Sequence, residues 1–191
     1  FQGGLSLPEK AYYLEPKYEE TRDSFVAHLE RMLGLGGIDA AAARQQAQAV
    51  LAFETRLAGA SLAPTELRDP ANQYHYVTLA EADRLTPNFS WSQFMAVEGL
   101  QEVKGFSLSQ PAFFAEVDRM LADTPVDDWR AYLRYHVLVD AAPYLSDAFA
   151  DERFAFYGKA MRGQQEQKPQ WKRVLADPAG SILAPLVNCG E

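Results

Sequence analysis

Residues 18–59, YEETRDSFVAHLERMLGLGGIDAAAARQQAQAVLAFETRLAG, decide the fold class. In the first half Phe25, Val26, Leu29, Met32 and Leu33 fall on one face of a helix, and Gly34, Gly36 and Gly37 stop it. In the second half Asp39 is placed to cap a helix whose apolar positions Ala43, Ala47, Val50, Leu51, Phe53 and Leu57 run to Gly59. Six alanines between 40 and 49 add strong helical propensity. A short glycine-rich join predicts that the two helices pack as an antiparallel pair.

Upstream, residues 1–17 show no helical period and read as an extended opening segment with a turn. Downstream, 60–77 carries Pro64 and Pro70 and reads as a loop centred on Arg68-Asp69-Pro70. Thr78 with Glu81 and Ser90 with Gln93 are capping boxes that open short helices, the first through Leu85 and the second over Trp91 to Gly99. Residues 100–110 form a short strand or an extended crossing. Pro111 and Pro125 each sit where a first helical turn tolerates proline. The helix from 111 ends near Ala122; the one from 125 is expected to bend at Pro143 and continue through Leu145 and Phe149. Phe154 to Met161 is amphipathic, and Trp171 to Leu175 is helical before Asp177-Pro178 breaks it. The fold class is therefore mainly α, a multi-helix domain with no internal repeat.

At 191 residues, 48% hydrophobic and 23% charged, the chain is one globular domain rather than a disordered or fibrous one. A formal charge of -8 makes nucleic acid a poor partner. One cysteine, Cys189, excludes an intramolecular disulfide and a cysteine-rich zinc site. No apolar run approaches the ~18 residues that span a bilayer, so no membrane segment is expected. The mid-phrase opening at Phe1 suggests that an upstream segment is missing.

Chemistry is sparse. A helix-borne zinc site needs two histidines four apart with a glutamate beside the first, and His28, His75 and His136 are far apart with no second histidine or cysteine within a turn. His136, between Tyr135 and Val137 on an apolar helix, reads as a packed residue. Glu19-Glu20, Asp127-Asp128 and Asp151-Glu152 are adjacent carboxylates that point to different sides of a helix. The last two pairs read as solvated caps near first turns. Gly34-Leu35-Gly36-Gly37 follows a helix instead of a strand, the wrong context for phosphate. Phe154-Ala155-Phe156-Tyr157 with Trp171, and Trp91 with Phe94, read as core before groove. Lys159, Arg162, Lys168, Lys172 and Arg173 form the positive cluster, either a solvated face or an interface with an acidic partner. No catalytic, cofactor-binding or metal-binding residue is assigned.

Several phrases add a different kind of information. Gly4-Leu5-Ser6-Leu7-Pro8 with Tyr12-Tyr13-Leu14 resembles a phrase of the neprilysin and endothelin-converting-enzyme family of zinc metallopeptidases. Phe53-Glu54-Thr55-Arg56-Leu57-Ala58, Arg68-Asp69-Pro70, Tyr74 and Thr78-Leu79-Ala80-Glu81 follow in family order. So do Trp129, Tyr132-Leu133-Arg134, Phe154-Ala155-Phe156-Tyr157-Gly158, Gly163-Gln164-Gln165-Glu166-Gln167 and Trp171-Lys172-Arg173.

The resemblance implies a helical N-terminal domain, here residues 1–177, that caps a thermolysin-like catalytic domain and restricts a chamber to oligopeptides. In that family the zinc ligands and the His-Glu-x-x-His helix belong to the catalytic domain, and they do not occur in this sequence. The chain alone is therefore expected to be inactive and to hold no zinc of its own. Its implied partners are the catalytic domain and oligopeptide substrates, with self-association open. Residues 178–191 fit no family phrase, which suggests a naturally truncated or frame-disrupted product, or a fragment ending in unrelated sequence. The low cysteine count suggests a bacterial member, exported or periplasmic in preference to cytoplasmic. The alternative is a stand-alone helical protein-interaction or peptide-binding module derived from such a peptidase.

Overall fold

In the computed structural model, which describes residues 1–169 and 171–172, an extended opening segment leads into α1 (Ala11–Leu14) and a 3-10 turn at Pro16–Tyr18. The two long helices follow as the spacing predicts: α2 (Glu19–Leu35) and α3 (Ala40–Ala60). The Asp39 carboxylate accepts from the Ala41 and Ala42 backbone N–H groups, satisfying two donors that a helix start leaves free. Arg44, early in α3, reaches Glu30, late in α2, at 3.6 Å, as an antiparallel pair requires. Phe25, Leu29, Met32 and Leu33 of α2 meet Ala43, Ala47 and Val50 of α3 in the principal core.

After two 3-10 turns, β1 (Tyr76–Thr78) leads directly into α4 (Leu79–Leu85), and α5 (Trp91–Val97) precedes β2 (Gly105–Ser107). The strands pair antiparallel with Val77 opposite Phe106. Thr78 and Glu81 form the expected reciprocal box; at α5 only the Ser90 half of the box is made, its side chain accepting from Gln93 N. Val77, Ala82 and Leu108 are the small core here, covered by Trp91, Phe106 and Phe114.

Helices α6 (Pro111–Asp123) and α7 (Val126–Ala141) complete the body. Phe113 and Met120 pack with Phe53 and Leu57, and Phe114 and Leu5 join this cluster to its two neighbours. The chain does not bend and continue after α7. Pro143 sits in a 3-10 turn, Ala142–Tyr144, and Leu145 turns to an extended backbone before α8 (Asp147–Arg153) starts afresh. Proline lacks the N–H that the helix ladder needs and its ring crowds the preceding turn, so the helix ends. Helix α8 runs straight into a π-helix, Phe154–Ala160, where a simple amphipathic helix was expected. Among the described residues no helix is long and apolar enough to cross a membrane. Trp171 and Lys172 are helical; the rest of the expected helix to Leu175, Arg173 and the 178–191 segment with Cys189 lie outside the described residues.

Candidate functional site

A carboxylate in the core is the centre of a dense polar network. Glu54 lies on the buried face of α3, three residues before Leu57 and four after Val50, and is fully buried. A charge there costs several kcal/mol unless its lone pairs are occupied. They are. Its Oε2 accepts from Ser6 N at 3.0 Å and from the Tyr13 hydroxyl at 2.5 Å. Its Oε1 accepts from Ser6 Oγ at 2.7 Å and lies 3.1 Å from His136 Nε2. A carboxylate can only accept, so the shared proton sits on His136 Nε2. The Tyr13 oxygen in turn accepts from Leu7 N at 2.8 Å.

Around this knot the opening segment is fastened to the helices. Gly4 has φ +76°, and a methyl in place of its hydrogen would collide with Tyr132 Oη. That hydroxyl donates to the Gly4 carbonyl at 2.9 Å, while the Tyr132 ring stacks on Phe53 at 4.2 Å. Burial, reinforced by the Glu54 charge, pushes the Tyr132 phenol up to about 12 and holds Tyr13 far above the ordinary range, so both remain neutral donors. A carboxylate so enclosed has no free lone pair with which to take a proton from a substrate. It is a structural knot.

A second buried polar set joins α2 to α8. His28 Nδ1 lies 2.8 Å from Glu152 Oε1, and Arg31 Nε donates to Glu152 Oε2 at 2.7 Å. The His28 ring stacks on Phe156 at 4.7 Å, and its Nε2 is buried without a partner among the described residues. Burial lowers the His28 pKa against the opposing pull of Glu152, so the neutral ring with its proton on Nδ1 is favoured. Burial pushes Glu152 up, but the bonds from His28 and Arg31 outweigh it and leave its pKa lowered. Glu152 is thus neither in a first turn nor a solvated cap, unlike the reading given to the Asp151-Glu152 pair. Asp127 and Asp128 do lie in the first turn of α7.

Neither polar set fits a metal. The Glu54 oxygens are filled by hydrogen-bond donors, and the His28 ring, its Nε2 unpartnered, is packed against the Tyr135 and Phe156 rings. His75 is exposed beside β1. Among the described residues no group of three or more histidine, cysteine, aspartate or glutamate side chains is placed to hold an ion. Phe156 is core, as expected, and Trp91 packs on Phe106 and Phe114, whereas Phe94 and Trp171 are exposed.

The sequence matches Peptidase family M13 over residues 1–187. The chain belongs to that family. It corresponds to the N-terminal region of these zinc metallopeptidases. Among M13 relatives it is 30% identical over 176 residues to endothelin-converting enzyme-like 1 of Rattus norvegicus, covering 88% of this chain and 22% of the relative. To endothelin-converting enzyme 1 of Mus musculus it is 29% identical over 191 residues, covering 95% and 24%. The fold superposes on Mycobacterium tuberculosis zinc metalloprotease Zmp1 in its open state with a TM-score of 0.88 at 26% identity, over 94% of this chain and 28% of that one. The chain spans about a quarter of the length of the curated relatives it matches. The M13 match runs past residue 177 and takes in most of the 178–191 segment.

Several of the phrases that carried the resemblance to the M13 family meet in space. Gly4 to Leu7, Tyr13, Phe53, Glu54 and Tyr132 build the knot. Trp129 packs edge-on to Phe53, and Arg56 forks to Glu116 and Asp123 at 2.7 and 2.8 Å beside it. What sequence reading missed was the role of Glu54; the available signal was a carboxylate falling on the same helical face as Val50, Leu57 and Ala58.

Proposed function

We propose that this chain is the non-catalytic cap region of an M13 zinc metalloendopeptidase, a wall that restricts oligopeptide access to a catalytic chamber built by the remainder of the enzyme. The observation that carries the reading is the superposition on the helical N-terminal region of a zinc metalloprotease by a chain whose own buried carboxylates and histidines are spent on internal fastening. The exposed surface supports it too. Helix α7 buries Ala131, Tyr135 and Val139 on one face and exposes Val126, Leu133 and Val137 on another, an apolar stripe suited to being covered by the remaining three quarters of a full-length relative.

The test is a size ladder of fluorogenic peptides, from pentapeptides to an unfolded protein, offered to the full-length enzyme and to the same enzyme lacking this region. A cap predicts that the intact enzyme cleaves the short members and spares the long ones, and that removal relaxes the limit. Equal cleavage across the ladder by the intact enzyme overturns it. The isolated chain should cleave none of them and carry no stoichiometric zinc by elemental analysis.

A further inference from the structure

Residues 153–172 hold Arg153, Lys159, Arg162, Lys168 and Lys172 against Glu166 alone, in a chain whose formal charge is -8. Three of these cations, Arg153, Arg162 and Lys168, line a cavity of about 250 Å³ together with Phe154, Tyr157 and Gln164, and no carboxylate lines it. None of the three forms an ion pair among the described residues, although Arg31, Arg44, Arg56, Arg119 and Arg130 all do. Three like charges around one hollow repel each other, and an anion in the hollow would offset that.

The hollow is a formed feature of the fold. The π-helix makes one wall, and π-helical turns are rare and often mark functional positions. Gly158 is required there, because any side chain would strike the Phe154 ring. The facing loop turns at Gly163, φ +66°, and is fastened by Gln164 N to the Gly158 carbonyl at 3.0 Å and by Gln167 Nε2 to the Ala150 carbonyl at 3.1 Å. The Arg153 guanidinium lies 5.9 Å from the Tyr157 ring centre, so cation and aromatic face the same space.

We propose that this cavity is a binding site for an acidic peptide segment, its carboxylates taken by Arg153, Arg162 and Lys168 and its backbone laid against Phe154 and Tyr157. Guanidinium forks match carboxylates, and about 250 Å³ is several times the roughly 30 Å³ share of a single water, so the space suits a short run of chain better than a bare ion. The site goes beyond the cap role and stands without it.

The probe is acetylated tetraglutamate amide, titrated into the 191-residue chain at low ionic strength and followed by backbone amide shifts. Binding with a Kd of roughly 0.1–1 mM, shifts centred on Tyr157 and Gln164, and about tenfold weakening in the Arg162→Gln, Lys168→Gln double variant are expected. Tetraglutamine should not bind, and Arg130→Gln, which removes a distant surface cation, should leave the affinity unchanged. The proposal is overturned by absence of tetraglutamate binding, by shifts elsewhere, by equal weakening in Arg130→Gln, or by pyrophosphate binding where tetraglutamate does not. Should the double variant lose helicity, the shift map of the unaltered chain decides alone.

Discussion

The Tyr13 hydroxyl, on the four-residue helix α1, donates to the buried Glu54 carboxylate of α3 at 2.5 Å and accepts from Leu7 N at 2.8 Å. One phenol therefore ties three parts of the chain to a single charge. Glu54→Ala strands Ser6 N, Ser6 Oγ and Tyr13 at once and should cost about 3–5 kcal/mol, as removal of one partner from a buried charged network does. Tyr13→Phe leaves the carboxylate three of its four donors and should cost about 1–3 kcal/mol. Urea unfolding followed by circular dichroism separates them; equal losses would mean that the Tyr13 hydroxyl carries the whole contribution of the knot and that the Ser6 and His136 bonds to Glu54 add little.

The acid limb of stability should belong first to His28. Burial sets its folded pKa below the ordinary value of 6.5, so in the window beneath that value the unfolded chain binds the proton and the folded chain does not. Stability is then complete above about pH 6.5 and falls as pH drops. Glu152, lowered from 4.5, adds a loss of the same sign further into acid. His28→Phe keeps the stack on Phe156 and removes the titration. Its stability should change less than that of the parent chain between about pH 7.5 and about pH 5.5. An unchanged slope would assign the acid sensitivity to another group.

The helical pair of α2 and α3, the Asp39 cap and the Thr78 box are legible in the sequence because each is a local relation: a period of 3.6 residues, or a side chain reaching three positions along. The knot is not, since Ser6 and Glu54 are 48 residues apart and periodicity marks a buried face without naming what meets it. The stop at Pro143 escapes the apolar pattern for a related reason. Leu145 and Phe149 continue the apolar pattern, and only the 3-10 turn and the extended Leu145 backbone show that the pattern spans two elements. The π-helix leaves no periodic trace over seven residues; its one sequence correlate is Gly158, which a glycine-as-breaker reading treats as punctuation.

Gly4 offers a test of the opening segment. Its φ of +76° disfavours any side chain, and a methyl would meet Tyr132 Oη, with Leu57 Cδ1 at 3.3 Å. Gly4→Ala should cost about 1–3 kcal/mol through backbone strain and displacement of the Tyr132 bond. Gly3→Ala, one residue earlier in open space, is the control and should be near neutral. In a double-mutant cycle Tyr132→Phe removes the colliding oxygen, so the pair should cost less than the sum of the singles. Strict additivity would place the whole effect in the backbone.

Asp39 separates hydrogen bonding from charge at the start of α3. Its Oδ1 accepts from Ala41 N and Ala42 N, each at 3.1 Å, while its charge sits at the positive end of a 21-residue helix. Asp39→Ala loses both contributions and should cost about 1–2 kcal/mol. Asp39→Asn keeps an accepting oxygen and loses only the charge, so about 0.3–1 kcal/mol is expected, shrinking as salt screens the dipole. Measured by urea midpoints at low and high salt, the Asn variant should converge on the parent chain at high salt and the Ala variant should not. If both converge, the cap acts through its charge and the two backbone bonds contribute little.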